Sequence, residues 1–209
     1  MKKSSSKKWM KEHFSDAYVK RAKQDGFRAR SVYKLEEIDR RHKLIKPGMV
    51  VVDLGAAPGG WSEYVTRLIG NKGKVFALDI LPMRPIRGAE FIQGDFTVDE
   101  VIEELHSRLG GQKVDLVLSD MAPNLSGIKD VDQMRSQELA KQAFDFSLKV
   151  LKPKGNFLVK LFHGADFDDF LQMLRKNFKD VKIIKPEASR SRSSEVFLLA
   201  RKGAVNNSV

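Results

Sequence analysis

Cysteine is absent from all 209 residues, which excludes disulfides, thiolate metal sites and every mechanism built on a cysteine nucleophile. Long apolar runs are absent as well. No stretch approaches the roughly 18 apolar residues of a bilayer-spanning helix. The basic start MKKSSSKKWMKEHFSD is not followed by the apolar core of a secretory signal, so a cytoplasmic protein without membrane attachment is expected. No repeats are found, and low complexity is confined to the first eight residues. With 42% hydrophobic and 31% charged residues, what remains suits one well-buried domain with a small appendage.

Charge is present in excess, of one sign and in one place. The net +11 divides into +8 over residues 1 to 34, eleven Lys/Arg against three Asp/Glu, and +3 over the other 175. Cations interleaved with Trp9, Phe14, Tyr18 and Phe27 suit a polyphosphate chain, charges for its backbone and rings for its bases. A solubilising tail or an anionic membrane surface would also account for the charge. The lack of a helical apolar stripe before Phe14 speaks against the membrane.

Beyond the arm, RARSVYKLEEIDRRHKLI reads as an amphipathic helix, with Val32, Leu35 and Ile38 on one stripe and Glu36 to Arg40 and Glu37 to Arg41 as i,i+4 pairs. A strand and helix alternation follows. Strands are predicted at Val50 to Leu54, Val75 to Asp79, Glu90 to Gln93, Val114 to Ser119 and Asn156 to Leu161. Helical patterns fall at about 60 to 69, 97 to 108, 132 to 151 and 166 to 177, a doubly wound, mostly parallel sheet. VKIIKP and EVFLLARK are both strand-like, and the eight residues between them are too few for a crossover helix. The sheet is therefore expected to close with an antiparallel hairpin.

The turn after the first strand, VVDLGAAPGGWSEYV, lies where open α/β sheets bind ligands. It misses two phosphate motifs. Trp61 stands where a P-loop carries its lysine, and Ala57 replaces the second glycine of the dinucleotide fingerprint. A nucleoside cofactor without phosphate fits better, S-adenosylmethionine being the obvious one. Asp79, at the end of the second strand, suits a ribose diol, and Asp95, at the end of the third, suits an adenine amino group. Either aspartate alone is more often a turn or cap residue, but three strand ends in sequence each deliver the expected group. The fourth strand ends SDMAPN, close to the loop of amine methyltransferases but without its base-stacking aromatic at Asn124. With no cysteine for pyrimidine C5 chemistry, a hydroxyl acceptor remains.

GNFLVKLFHG sets Lys160 inside an apolar strand. A lysine there either snorkels from the strand end or performs chemistry. Lys34, Asp120, Lys160 and Glu195 match the Lys-Asp-Lys-Glu tetrad of RNA ribose 2'-O-methyltransferases. FRARSVYKLEEID, DLGAAPGGWS and SDMAPNLSG further resemble the FtsJ/RrmJ-type enzymes of bacterial large-subunit ribosomal RNA, from about residue 9 to 202. The resemblance implies a Rossmann-like methyltransferase fold with a seven-stranded, mostly parallel sheet and an antiparallel C-terminal strand. The methyltransferase domain would span 29–202, between a basic arm at 1–28 and a tail at 203–209.

The resemblance further implies methyl transfer from S-adenosylmethionine to the ribose 2'-hydroxyl of a uridine in the A-loop of 23S rRNA, within the assembled or nearly assembled 50S subunit. Gly59, Trp61, Asp79, Asp95 and Asp120 would contact the cofactor, and Lys160 would accept the proton. A lysine at its reference pKa of about 10.4 is neutral in about one molecule in a thousand at pH 7.5. An apolar strand, a second lysine and a sulfonium all disfavour a further cation. Asp120 is expected to orient Lys160, and Glu195 to hold Lys34 while the pair positions the ribose.

Arg28, Arg30, Arg190 and Arg192 are candidate phosphate contacts, though the hairpin arginines read equally as a solvated turn. His163 has no partner that would make it catalytic, no metal site is expected, and no apolar surface calls for a dimer. Two other functions share the fold. A non-catalytic RNA-binding assembly factor conflicts with the intact tetrad, and a small-molecule methyltransferase or nucleotide dehydrogenase conflicts with the basic arm and the failed fingerprint.

Overall fold

Five consecutive buried residues form the first strand, β1 (Val50–Leu54), so this strand must be covered on both faces. The structure is a computed structural model that describes residues 16–124, 126–164, 166–190 and 193–204. Trp9, Phe14 and Arg192 lie outside the described residues. After α1 (Ala17–Gln24) and α2 (Val32–His42), the chain alternates β1, α3 (Gly60–Ile69), β2 (Lys74–Asp79), β3 (Ala89–Gln93), α4 (Asp99–Leu109), β4 (Val114–Ser119), α5 (Lys129–Val150), β5 (Leu151–Phe162), α6 (Phe167–Asn177), β6 (Asp180–Ile184) and β7 (Glu195–Arg201).

The strands form one sheet in the order β3-β2-β1-β4-β5-β7-β6. β1 to β5 pair in parallel, and β7 runs antiparallel to both β5 and β6. This is the seven-stranded arrangement with an antiparallel C-terminal strand that the sequence predicts. β5 begins at Leu151, five residues before the predicted strand, because Leu151 already pairs with Val114; the register with β4 then shifts across Pro153 and the positive-φ Lys154 and resumes at Asn156.

Side-chain alternation divides the core. Val50, Val52 and Leu54 of β1 join Phe157, Val159 and Leu161 of β5 in one cluster, packed with α4, α5 and α6 residues. Val51, Leu158, Phe197 and Leu199 face the other way, against Leu35 and Ile38 of α2 and Trp61 and Val65 of α3. Period two therefore puts Lys160 with Leu158, and Glu195 with Phe197, on the face that α2 covers. A smaller cluster joins Ala22 of α1, Val32 and Tyr33 of α2, and Ala188 of the β6–β7 loop. Part of the basic segment is thus a packed helix, capped by the Asp16 carboxylate, which accepts from Tyr18 N at 3.0 Å. Among the described residues no helix is long and apolar enough to cross a membrane.

Candidate active site

The parallel strands all end at one edge, and a cavity of about 520 Å³ opens there. Its floor is the glycine turn. Gly55 N donates to Leu78 O at 2.9 Å, and Asp120 N donates to Leu54 O at 3.0 Å, which binds the ends of β1, β2 and β4 together. Gly55 has φ +79, and a Cβ on it would lie 2.8 Å from Met121 N. Only glycine lets these two loops close on each other.

Asp79, Asp95, Asp120 and Glu138 line the cavity against one guanidinium, that of Arg135, with Leu78 and Phe96 as apolar surface. This balance repels phosphate and suits a cation carried on an apolar body. Asp79 accepts from Ala57 N through Oδ2 and from Leu81 N through Oδ1, both at 2.8 Å, so it shapes the glycine turn as well as facing the cavity. Asp95 Oδ1 accepts from Thr97 N and Oγ1, whereas its Oδ2 has no protein partner among the described residues. Gly59, with φ +105, packs under Met83 and Ile86. Trp61 is placed differently from the aspartates. Its ring is buried against Phe197, and its Nε1 donates to Ser31 O at 2.8 Å, so only its main chain, in the first turn of α3, follows the glycine turn.

Lys160 is 8% exposed. Its Nζ lies 2.9 Å from Asp120 Oδ1 and donates to Asp120 O at 2.7 Å. Lys34, in the first turn of α2, places Nζ 2.5 Å from Glu195 Oε1 and 5.9 Å from the centre of the Phe197 ring. Lys160 pairs across the ladder with Phe197, and Glu195 with Phe162, so Glu195 stands diagonally beside Lys160 on one sheet face. Burial pushes the Glu195 carboxyl up, but the Lys34 ammonium, hydrogen bonds from Lys34 and Ser189, and the charge of Lys160 together hold it below the ordinary glutamate value. The four tetrad residues thus come together as two ion pairs, one of which, through Asp120, is also cavity wall.

Sequence reasoning missed Asp53, which is fully buried beneath this site. Oδ2 accepts from Ser62 Oγ at 2.6 Å, while Oδ1 has no partner among the described residues. Burial pushes its carboxyl up to about 7; the Ser62 hydrogen bond opposes this, and the charges of Asp120 and Asp79 add to it. An aspartate amid VVVDLG is a legible signal, since an apolar strand offers a carboxylate little solvation.

The arginines are less uniform than their sequence positions suggest. Arg28 donates to Arg84 O at 2.6 Å and to Pro85 O at 2.9 Å, clasping the loop after β2. Arg30 is directed inward, donating to Asp16 Oδ2 and Ala188 O. Arg190 Nε lies 3.8 Å from Asp16 Oδ2. His163 stacks on Phe167, ring centres 4.1 Å apart.

Comparisons with known proteins show the family and the fold. The family described as FtsJ-like methyltransferase matches residues 27–203. The chain is 56% identical over 195 residues to the ribosomal RNA large subunit methyltransferase E of Azoarcus sp. (strain BH72), covering 93% of this chain and 95% of that protein. Identity to the protein of the same name from Legionella pneumophila (strain Corby) is 54% over 197 residues, covering 94% and 96%. A solved structure from Plasmodium falciparum, described as a ribosomal RNA methyltransferase, superposes with a TM-score of 0.76 at 28% identity, covering 85% of this chain and 99% of that one.

Proposed function

The chain belongs to the FtsJ-like methyltransferase family, and from that premise we propose that it methylates the ribose 2'-hydroxyl of a uridine in the A-loop of 23S rRNA, with S-adenosylmethionine as donor and Lys160 as general base. Its substrate is the 50S subunit, on which it acts as a cytoplasmic monomer. The observation that carries this reading is the double position of Asp120, in the cavity wall and on Lys160. Relatives named as methyltransferases of large-subunit ribosomal RNA support the substrate class.

S-adenosylmethionine, when bound, supplies the methyl group on an electrophilic sulfonium. The residues present fit it: a carboxylate-lined cavity suits a cation, and the free Asp95 Oδ2 is an acceptor for an adenine amino group. Asp79 would hold the ribose diol, with Gly59 and the Trp61 main chain at the glycine turn and Asp120 beside the reacting end. Asp120 then fixes Lys160 by its carbonyl and its carboxylate, so that Nζ takes the 2'-hydroxyl proton as the oxygen is aligned. Lys34, on the helix that covers this sheet face and held by Glu195, steadies the ribose.

Incubating the protein with label in the donor methyl group and with large subunits lacking the modification, then digesting to nucleosides, tests this reading. Label is expected in 2'-O-methyluridine. Binding of subunits without transfer would instead support an assembly factor.

A further inference from the structure

Glu195 opens β7, and a carboxylate at the start of a strand, opposite a lysine on a four-carbon stem, has many rotamers to lose before it can hold that lysine in one place. The loop before it is nonetheless fixed at several points. Ala188 is buried against Ala22, Val32 and Tyr33. Its carbonyl accepts from Arg30, whose other nitrogen donates to Asp16 at the cap of α1. One residue on, Ser189 Oγ donates to Glu195 Oε1 at 2.8 Å, the same oxygen that Lys34 approaches. At the start of the loop, Lys185 Nζ donates to Glu195 O at 2.7 Å. On the outer flank Glu187 N donates to Glu37 Oε2 at 2.8 Å.

We propose that Ser189 and Arg30 are positioning residues for the Lys34–Glu195 pair: Arg30 locks the Ala188 carbonyl against the α1 cap, and Ser189 Oγ thereby fixes the carboxylate on which Lys34 rests. This rests on the reading of Lys34 and Glu195 as ribose-steadying groups. It also gives Arg30 a role different from phosphate binding. Both guanidinium contacts are made inside the protein, and its side chain is 15% exposed. A phosphate would have to displace the Asp16 carboxylate to reach it. A misplacement of about 1 Å at the reacting centre, caused by a residue that does not touch the substrate, can cost up to about a hundredfold in rate.

The two roles separate in steady-state kinetics with the full chain, labelled S-adenosylmethionine and unmodified large subunits. Ser189→Ala is expected to lower kcat about tenfold while KM for the subunit and its salt dependence stay unchanged. Ser189→Thr, which keeps the hydroxyl, is expected to restore most of kcat. Arg30→Lys, which reaches only one of the two acceptors, is expected to lower kcat in the same way. A parental kcat for Ser189→Ala overturns the proposal, as does an Arg30→Lys variant with raised KM, a flatter salt dependence and unchanged kcat. Lys160→Ala is assayed alongside. If it is inactive while Ser189→Ala is parental, only this proposal fails; if it transfers at the parental rate, the catalytic reading fails and takes this proposal with it.

Discussion

Lys160 Nζ contacts Asp120 twice, at the carbonyl oxygen 2.7 Å away and at Oδ1 2.9 Å away. A neutral lysine amine has two N–H bonds and one lone pair. The carbonyl takes one N–H as a hydrogen bond and Oδ1 stands at ion-pair distance, which leaves the lone pair of the neutral amine for a proton on the substrate. Lys160→Ala is expected to slow single-turnover transfer by about 10²- to 10⁴-fold, the usual range for a general base, with cofactor affinity retained. Lys160→Arg separates orientation from proton transfer, because a guanidinium keeps its charge and has no lone pair to offer. It is expected to be as inactive as Lys160→Ala. Substantial activity in Lys160→Arg would leave Lys160 an orienting role only.

Much of this site was legible before the fold was known, because strand periodicity and strand ends are local properties of the sequence. Lys160 stands out within its apolar run, and the aspartates follow their strands directly. Contacts between distant segments were not legible. Nothing in FRAR says that Arg28 meets carbonyls at Arg84 and Pro85, or that Arg30 meets the carbonyl of Ala188. In the sequence the helix Ala17–Gln24 reads as part of the arm because its charge outweighs a short apolar stripe. Only Val19 and Ala22 are buried, and the aromatic ring that anchors it, Tyr33, comes from the next helix. The sequence groups Trp61 with the glycine turn it follows, but α3 turns its ring into the core beneath α2.

Asp53 makes stability depend on pH. An unfolded aspartate titrates near 3.9, whereas the buried Asp53 carboxyl is pushed up to about 7. Between these values the native state binds more protons than the unfolded one, so this group lowers stability as pH rises from about 4 to 7, by up to about 4 kcal/mol. Asp53→Asn is neutral throughout and of the same shape. Its thermal stability is expected to match the parent near pH 4 and to exceed it increasingly up to pH 7, then to hold that advantage. A difference between the two proteins that does not change with pH would remove Asp53 from this account.

Gly55→Ala is expected to damage the cavity as well as the fold. The backbone there is in the left-handed region, and the added carbon would press on Met121 main-chain atoms 2.8 and 2.9 Å away, next to Asp120. Strain of about 1 to 3 kcal/mol should appear in melting, together with loss of S-adenosylmethionine affinity measured by titration. Gly110→Ala is the control. Its φ is +58, but nothing lies within 4 Å of the added carbon, and it caps α4 away from the glycine turn. It should lose stability and keep cofactor affinity; equal affinity losses in the two variants would argue against a specific role for the Gly55 turn.

The basic segment should divide into two functions at Asp16. Residues 1–15 carry five lysines and one glutamate, and their removal leaves the α1 cap and its bond to Arg30 in place. Subunit binding is expected to weaken and its salt dependence to flatten, since fewer counterions are released, while kcat and cofactor affinity remain parental. Removing residues 1–24 also takes away Asp16, Val19 and Ala22, so Arg30 and Ala188 lose the surface that holds them. This longer truncation is expected to lower kcat in addition, at saturating subunit concentration. A longer truncation that changed only binding would mean that α1 does not support the Lys34–Glu195 pair. An unchanged salt dependence in the shorter one would mean that the first fifteen residues do not meet the RNA.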